Sequence, residues 1–302
     1  MLQKSIQILK QMQHPTGLFS ASKVNVTTGY NMAWIRDNIY TAIGLEAVKK
    51  YSIVKKPLRA LLDILLKHEY KIDWAIKEKP KHNHQYIHAR YDPVTMNEIW
   101  EQWGNKQNDV VGALLFKVGD LEGRGIKIIR NEDDIRILQK LVHYLGSIEY
   151  WHDKDNGMWE ENEEIHSSSI GACVAGLKKI SKIVDVPKNL IKKGQTALNN
   201  LLPNESETKD ADLALLSLIY PYNIVNSKQR KQILKNVETK LLRNKGVIRY
   251  ISDKYYNSNG EAMWTMGLSW LAIIYNQMKN PSKYAFYMRK TKEAMNSKGE
   301  LP

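Results

Sequence analysis

The distribution of apolar residues predicts helices over almost the whole chain. In some segments apolar residues recur three, four or seven positions apart, with Lys, Gln and Glu between them, as for Leu58, Leu61, Leu65 and Ile72. A helix of this kind packs one face on a core and exposes the other to water. Six segments share this amphipathic pattern: 2–13, 57–78, 132–150, 187–201, 227–242 and 282–296.

Five further segments are apolar on nearly every side, which predicts helices buried all round. They are 39–48, 110–116, 169–177, 211–220 and 263–275. Along the chain the two kinds of helix alternate, an outer one and then an inner one. Successive hairpins of this kind form an (α/α)6 toroid, so the predicted fold class is all-α, as one domain over residues 1–302. Because six inner helices close such a ring, we expect the last one to follow Pro302.

The longest connections all lead from an outer helix to an inner one. They are 14–33, 79–104, 151–168, 202–210 and 243–262. In a toroid such loops lie at one end, and here they carry most of the Trp, Asp, Glu, Arg and His outside helices. Since loops on a rigid scaffold usually carry function, we predict a cleft at that end as the active site.

The aromatic composition is unusual, with 16 Tyr and 8 Trp but only 3 Phe. Amphipathic aromatic side chains suit a cleft that stacks on sugars, although they also fill ordinary cores. The net charge of +13 raises the question of a nucleic-acid partner. The lysines are spread over helix faces without a dense Lys/Arg block, so no nucleic-acid partner is predicted.

The remaining compositional features concern redox state and location. Cys173 lies in the apolar run SIGACVAGL, which predicts a small buried residue, and one cysteine cannot form a disulfide within the chain. The N-terminal MLQKSIQILKQMQ lacks the apolar core of a signal peptide. The longest apolar stretch, AMWTMGLSWLAIIY, is too short to span a bilayer. We therefore expect a soluble, cytoplasmic protein without a membrane partner.

The first loop ends in GYNMAWIRDN, at the start of a predicted inner helix. Arg36 and Asp37 can make several directional hydrogen bonds to one sugar ring, with the Trp34 indole as a platform. The alternative is that Asp37 caps the helix while Arg36 forms a surface ion pair. Spacing alone leaves both interpretations open.

The second loop ends in EIWEQWGNKQNDVVG. Asn108 or Asp109 can cap the helix that follows, whereas Trp103 beside Gly104 has no such structural explanation and is a candidate ligand-facing residue. The upstream segment HNHQYIH contains three histidines. A metal site needs further ligands in a fixed geometry, and the pattern offers none, so no metal is predicted.

The third loop contains DNGMWEENEE, in which a turn at Gly157 presents Trp159, Glu160 and Glu161. Four carboxylates between positions 160 and 164 must repel one another, which raises the pKa of some of them, and a raised pKa suits a general acid. The alternative is an acidic, solvated loop before a helix N-terminus.

The later loops supply fewer candidates. GVIRY places Arg249 and Tyr250 at the loop end of the predicted toroid, and KDADLALL places Asp210 and Asp212 before an inner helix.

Taken together, the motifs resemble glycoside hydrolase family 15, the glucoamylases and their prokaryotic relatives, and the N-terminal region of phosphorylase kinase regulatory subunits. The motifs occur in family order over essentially the whole chain: TGLFSAS, GYNMAWIRD, WGNKQND, GMWEE, DADLALL, GVIRY with a later YY, and GELP. The resemblance implies an (α/α)6 barrel, the architecture that the alternation of helices indicates independently.

The resemblance also implies roles for particular residues. Glu160 falls on the general acid, and Glu161 falls on a second Glu that contacts substrate. Arg36 and Asp37 match residues that hold the terminal glucose. Tyr30 and Trp103 match the aromatic lining of the sugar subsites. Trp159 matches a position whose backbone borders the pocket, and Arg249 matches an arginine that contacts the next glucose. No cofactor is implied.

Members of this family invert the anomeric centre, which requires a second carboxylate as general base, about 6.5–9.5 Å from the acid. The resemblance places this base directly after a G-x-L-P stretch, so we expect it after Pro302, together with the twelfth helix. Glu300 lies at the wrong place in the pattern to replace it. The 302-residue chain is therefore expected to be at best weakly active.

The resemblance thus implies an inverting, exo-acting α-glucosidase whose partner is an oligosaccharide or α-glucan such as a maltooligosaccharide. One alternative is a non-catalytic carbohydrate-binding or regulatory toroid, which needs the sugar pocket but no base. Another is a helical scaffold for protein partners, which the clustering of Trp, Arg and carboxylates on one set of loops disfavours.

Overall fold

The computed structural model describes residues 2–22, 30–99, 101, 103–257 and 260–301. Eleven α-helices and two short strands account for most of the regular structure in these residues. The helices are α1 (Leu2–Gln11), α2 (Ile35–Ala47), α3 (Tyr51–Lys67), α4 (Glu69–Lys77), α5 (Asn108–Gly123), α6 (Glu132–Ile148), α7 (Ser167–Ile180), α8 (Lys188–Leu201), α9 (Ser227–Asn236), α10 (Met266–Gln277) and α11 (Pro281–Glu293). Short 3-10 turns occur at Asn83–Gln85 and Leu213–Leu218, and a π-helical turn at Val237–Leu241. The predicted all-α class is confirmed.

The chain divides into two compact units, Leu2–Leu198 and Asn199–Pro302. In the first unit, α5 and α7 are the buried helices, and almost every residue of each is inaccessible to solvent. Helix α2 buries one face, while Gly44 and Ala47 are exposed. The amphipathic α3, α4, α6 and α8 bury one face each. The prediction of inner helices is therefore confirmed for α5 and α7 and that of outer helices for α3, α4, α6 and α8, whereas the prediction that segment 39–48 is buried on all sides is wrong. The single domain predicted for residues 1–302 stays a prediction.

Helices α5 and α7 approach each other closely because glycines face each other across their interface. A Cβ atom placed on Gly176 would lie 2.3 Å from the carbonyl oxygen of Gly112, and one on Gly112 would lie 2.4 Å from the backbone of Ala172 and Cys173. Only residues without a side chain allow this separation. Cys173 is fully buried in the same interface, as predicted, and its thiol donates to the carbonyl oxygen of Asn108 at 3.3 Å.

The predicted helix 57–78 is wrong in one respect, because it is interrupted at His68. The backbone of His68 leaves the helical region, and its ring nitrogen Nε2 lies 2.9 Å from the carbonyl oxygen of Met96. The side chain is thus committed to the loop after α4, and the chain restarts as a separate helix at Glu69.

In the second unit the predicted helix 211–220 is wrong, since this segment forms a 3-10 helix instead. Asp212 begins it by accepting a hydrogen bond from the Ala214 N–H at 2.7 Å. Pro221 follows shortly afterwards and disfavours helical backbone at the residue before it, which limits the segment to a short turn.

Two further predictions for the second unit need correction. The predicted helix 227–242 is α-helical only to Asn236 and then π-helical. The Glu238 carboxylate in that turn accepts hydrogen bonds from Tyr275, at 2.9 Å, and Tyr287, at 2.6 Å. Helix α10 was expected to be buried on all sides, but Ile273 is 40% exposed.

The two strands join the first and second loops of the first unit. β1 (Ala33–Trp34) pairs antiparallel with β2 (Arg90–Tyr91), and Trp34 lies opposite Arg90. The predicted inner helix after Pro302 lies outside the described residues, as do positions 23–29 of the first loop and Trp100 and Gln102 of the second. Among the helices that the structure describes, none combines the length and hydropathy needed to cross a membrane.

Candidate active site

Three loops of the first unit converge, as the sequence predicted. The first loop delivers Trp34 and Arg36 at the start of α2, the second delivers Arg90 and Trp103, and the third delivers Glu160. The pairing of β1 with β2 fixes the first loop against the second, and Arg36 connects both to the third.

Arg36 is buried in the first turn of α2, where it binds two other segments. Its Nη1 donates to Asp109 Oδ1 at 3.1 Å and to Oδ2 at 2.8 Å, and its Nη2 donates to the Met158 carbonyl oxygen at 2.8 Å. Nη2 also lies 3.6 Å from Glu160 Oε1. The alternative that Arg36 forms a surface ion pair is therefore wrong, and so is capping by Asp37, because the N-cap residue is Trp34.

Glu160 lies on a tight turn with unusual backbone geometry. Its φ is +63° and that of Gly157 is +62°, and its N–H donates to the Gly157 carbonyl oxygen at 3.4 Å. Gly104 packs directly on this turn, since a Cβ there would lie 2.7 Å from the Glu160 carbonyl oxygen. A non-glycine residue with positive φ is uncommon and often marks a functional turn. In this turn the side chain of Glu160 is 18% exposed to solvent.

Burial raises the pKa of the Glu160 carboxyl to about 7. The Arg36 guanidinium opposes this increase, as do the nearby Trp34 indole and the Arg90 charge, while the charge of Asp37 adds to it. The predicted raised pKa in this loop is confirmed, but its main cause is burial rather than repulsion within the acidic run. At neutral pH the carboxyl is thus partly protonated, which a general acid requires.

Asp37 lies beside Arg36 and is partly exposed. Burial raises the pKa of its carboxyl, and the Arg36 charge acts in the opposite direction. The Arg36 guanidinium therefore acts on the carboxyl groups of both Asp37 and Glu160, and its charge favours the ionised form of each.

Aromatic rings line the site. Tyr30 stacks on Trp34 with ring centroids 5.4 Å apart, and Trp103 meets Trp34 edge-on at 6.1 Å. The Arg90 guanidinium lies 4.6 Å from the Trp103 ring centroid and 5.4 Å from that of Trp34. Arg90 is anchored by Glu101, which accepts from its Nη2 at 2.8 Å. Of these three rings, that of Trp34 is buried, whereas Tyr30 is 37% exposed and Trp103 is partly exposed, so a ligand can reach Tyr30 and Trp103 but not the predicted Trp34 platform.

The start of α5 is not capped by Asn108 or Asp109, and that prediction is wrong. Helix α5 begins after Gln107, and the N–H of Asn108 donates to Asp155 Oδ2 at 2.8 Å. Asp109 is instead held by Arg36. Burial raises the pKa of the Asp155 carboxyl to about 6, and the charge of His166 opposes this increase.

The segment Gly104–Lys106 is hydrogen-bonded to the base of the third loop. The Asn156 N–H donates to the Lys106 carbonyl oxygen at 2.7 Å, and Asn156 Nδ2 donates to the Glu161 carbonyl oxygen at 2.6 Å. Lys106 is buried, with its Nζ 3.2 Å from Asp153 Oδ1. These bonds fix the residues on either side of Glu160.

Trp159 and Glu161 flank Glu160 in the chain and are both partly buried, and the substrate contacts expected for them stay predictions. Arg249 lies in the second unit, where its Nε and Nη2 each donate to the Asp253 carboxylate at 2.7 Å. Its guanidinium also lies 4.8 Å from the Tyr255 ring centroid. The predicted contact of Arg249 with a second glucose likewise stays a prediction.

Sequence reasoning missed several residues that build the site, namely Arg90, Lys106, Asp155 and Asn156. The signal for Arg90 was present in HARYD, directly after the histidine-rich segment, but nothing in the sequence shows that this segment pairs with β1. Within the described part of the chain, no group of His, Cys, Asp or Glu side chains could hold a metal ion.

Comparison with known proteins supplies a family and a fold. The sequence model of "Glycosyl hydrolases family 15" matches residues 1–202. A glycosidase solved in complex with glucose superposes with a TM-score of 0.83 at 18% identity, covering 100% of this chain and 84% of that one. A glucoamylase from Saccharomycopsis fibuligera gives a TM-score of 0.64 at 16% identity, covering 93% and 72%. The fold is therefore the (α/α)6 toroid of these glycosidases.

The relatives found by sequence similarity are named as kinase regulatory subunits rather than as glycosidases. The chain is 27% identical over 288 residues to the phosphorylase b kinase regulatory subunit alpha, liver isoform, of Mus musculus, which covers 80% of this chain. It is 27% identical over 290 residues to the probable phosphorylase b kinase regulatory subunit alpha of Drosophila melanogaster, which covers 82% of this chain. The match spans 22% of the length of either relative.

Proposed function

The chain belongs to glycosyl hydrolases family 15, and from this premise we propose that it is an inverting, exo-acting α-glucosidase of the glucoamylase type. Its substrates would be α-linked glucosides such as maltooligosaccharides, and a cytoplasmic role is part of the proposal. The observation that carries it is the Glu160 carboxyl, whose pKa burial raises to about 7 beside the Arg36 guanidinium.

In this proposal Glu160 protonates the glycosidic oxygen as the bond to the leaving group breaks. Asp37 accepts hydrogen bonds from hydroxyl groups of the terminal glucose, and Glu161 contacts the substrate beside it. The Arg36 guanidinium borders the sugar. It also donates hydrogen bonds to Asp109 and to the Met158 carbonyl oxygen, and the second of these holds the third loop. Tyr30 and Trp103 offer aromatic faces to the sugar.

Inversion also requires a general base that activates water on the opposite face of the sugar. The resemblance associates this base with the G-x-L-P stretch that starts at Gly299.

The proposal is tested by replacing Glu160 with Gln, which preserves shape but removes the transferable proton. We expect kcat for maltotriose to fall by about 10²–10⁴-fold while substrate affinity changes little. Proton NMR of the first product should show β-glucose with the unaltered protein. Undiminished turnover by Glu160→Gln, or release of α-glucose, would contradict the mechanism.

A matched control is Glu163→Gln, the same substitution three residues further along the same loop. Glu163 lies 3.6 Å from Lys106 Nζ and its side chain is 37% exposed, so its loss should leave kcat within about twofold of the unaltered protein. A large loss in both variants would indicate that the loop has been disturbed as a whole.

A second candidate function is a non-catalytic sugar-binding regulatory module. The observation that favours it is the similarity to the phosphorylase b kinase regulatory subunits. Calorimetric titration with maltotriose, combined with a glucose-release assay on the same protein, separates the two functions. Binding without release, unchanged by Glu160→Gln, would favour the regulatory function.

A further inference from the structure

Asp155 lies five residues before Glu160, and its side chain is 1% exposed. Its Oδ2 accepts a hydrogen bond from the Asn108 N–H at 2.8 Å, and its Oδ1 accepts from the Gly157 N–H at 3.1 Å and from Ser169 Oγ at 3.2 Å. One carboxylate thus joins the first turn of α5, the turn that leads to Glu160, and the first turn of α7. Because it is buried, it cannot itself reach a bound sugar.

The backbone of Asp155 closes the loop that carries Glu160. Its N–H donates to the Glu164 carbonyl oxygen at 2.9 Å, and its own carbonyl oxygen accepts from the Glu164 N–H at 3.0 Å. The ring nitrogen Nε2 of His166 lies 4.0 Å from Asp155 Oδ1. Glu160 is therefore at the tip of a closed loop whose base is Asp155.

Asp155 also fixes the position of Arg36, through Asn108 and Asp109. Asp155 holds Asn108, and the next residue, Asp109, binds the Arg36 guanidinium through both carboxylate oxygens. Arg36 in turn contacts Glu160 and the Met158 carbonyl oxygen in the loop based on Asp155. Both sides of the contact between Arg36 and Glu160 are thus attached to one buried carboxylate.

We infer that Asp155 is a positioning residue that fixes the carboxyl group of Glu160 against the guanidinium of Arg36. This inference rests on the proposed function for its meaning in catalysis. Its structural content, the separation of these two charged groups, can be measured whether or not the protein hydrolyses sugars.

The substitution Asp155→Asn tests the inference, because Asn keeps the shape but replaces one acceptor oxygen with an amide that faces N–H or O–H donors. If Arg36 and Glu160 move apart, Arg36 lowers the pKa of Glu160 less, and that pKa rises. The direct loss of the Asp155 charge would act in the opposite direction and lower it. The sign of the change therefore separates positioning from simple electrostatics.

The measurement is a ¹³C NMR titration of glutamate side-chain carboxyls, with the Glu160 signal assigned from its absence in Glu160→Gln. We expect Asp155→Asn to raise the pKa of Glu160 by about half a unit or more. The control Asp134→Asn removes a fully buried carboxylate of α6 that pairs with Arg130, and it should leave the pKa of Glu160 unchanged. An unchanged or lowered pKa in Asp155→Asn would overturn the inference.

Kinetic measurements provide a second test of the inference. If the unaltered protein hydrolyses maltotriose, Asp155→Asn should lower kcat by about 10- to 100-fold with little change in KM, since small displacements of a catalytic group have effects of this size. A protein without any turnover would refute the proposed function and leave the NMR titration as the test of positioning. A kcat equal to that of Asp134→Asn would contradict the inference.

Should Asp155→Asn fail to fold, Ser169→Ala decides the question. This variant removes one donor to Asp155 Oδ1 and leaves the carboxylate in place. A measurable increase in the pKa of Glu160 would support positioning through this carboxylate. A pKa equal to that of the unaltered protein would overturn it.

Discussion

Glu160 acquires its chemical character from residues distant in sequence. Burial raises its pKa, and the groups that oppose this increase are Arg36 and Trp34 from the first loop and Arg90 from the second. The sequence motif GMWEE supplies the carboxyl, but the three loops together set its proton affinity.

The first prediction concerns the pH dependence of kcat/KM. A general acid is active only in its protonated form, so kcat/KM should fall as the pH rises through the pKa of about 7 that burial gives Glu160. Initial rates with maltotriose between about pH 5 and 9 provide the measurement. A value of kcat/KM that stays constant across neutral pH would show that Glu160 is not the acid.

The second prediction concerns stability. The pKa of Glu160 is about 7 in the folded chain, above its ordinary value of 4.5, so the folded state binds this proton more tightly than the unfolded state. Its contribution to stability is therefore greatest at low pH and falls as the pH rises from about 4.5 to about 7. The difference in the free energy of unfolding between Glu160→Gln and the unaltered protein should shift by about 3 kcal/mol, in favour of the variant, over this interval.

Urea denaturation at about pH 4 and about pH 8 measures this shift, and Glu163→Gln again serves as the matched control. Comparing variant with unaltered protein cancels the contribution of Asp155, whose pKa is also raised. A difference that is independent of pH would mean that the Glu160 carboxyl has its ordinary proton affinity in the folded protein.

At the scale of secondary-structure elements, hydrophobic periodicity predicts most helices because burial on one face or on all faces imposes the pattern directly. It fails where a local bond decides the backbone. His68 ends α3 through its bond to Met96, and Asp212 with Pro221 turns an apolar run into a 3-10 helix. Periodicity also does not show how closely two helices pack, and for α5 and α7 their glycines determine this.

Substituting Gly112 with Ala should therefore destabilise the first unit. The added Cβ would lie 2.4 Å from the backbone of α7, so the helices must separate, and overpacking of this kind costs about 1–3 kcal/mol or more. The matched control is Gly44→Ala in α2, where the structure places nothing described within 4 Å of the added Cβ. That variant should be neutral or up to about 1 kcal/mol more stable.

Thermal unfolding of both variants, followed by circular dichroism, is the measurement. A Tm for Gly112→Ala equal to that of Gly44→Ala would show that α5 and α7 are farther apart than the structure indicates.

At the scale of the whole molecule, the fold class could be predicted because amphipathic and apolar segments alternate along the sequence. The site could be predicted only in part. Trp34, Arg36 and Glu160 stand in recognisable local motifs, whereas Asp155 matters because it binds Asn108 and Ser169, which are distant in sequence. No local pattern encodes such a junction, so its importance becomes visible only once the helices are packed.

The net charge of +13 leads to the last prediction, because a strongly basic protein invites the expectation of an anionic partner. The candidate site argues otherwise. The Arg36 charge is matched by Asp109 and lies beside Glu160, and Arg90 is paired with Glu101. The residues proposed to bind the ligand are aromatic rings and hydrogen-bonding groups, which suit a neutral sugar.

Affinity for maltotriose should therefore change by less than about twofold between roughly 50 and 500 mM NaCl, because a neutral ligand has no charge for salt to screen. A nucleic acid would instead release counterions on binding and lose affinity steeply over the same range. Calorimetric titration at several salt concentrations measures the slope, and a sulfated oligosaccharide of equal length serves as the anionic control. A steep loss of maltotriose affinity with salt would mean that the basic surface takes part in binding, and the assignment of the ligand to the aromatic and carboxylate site would then be wrong.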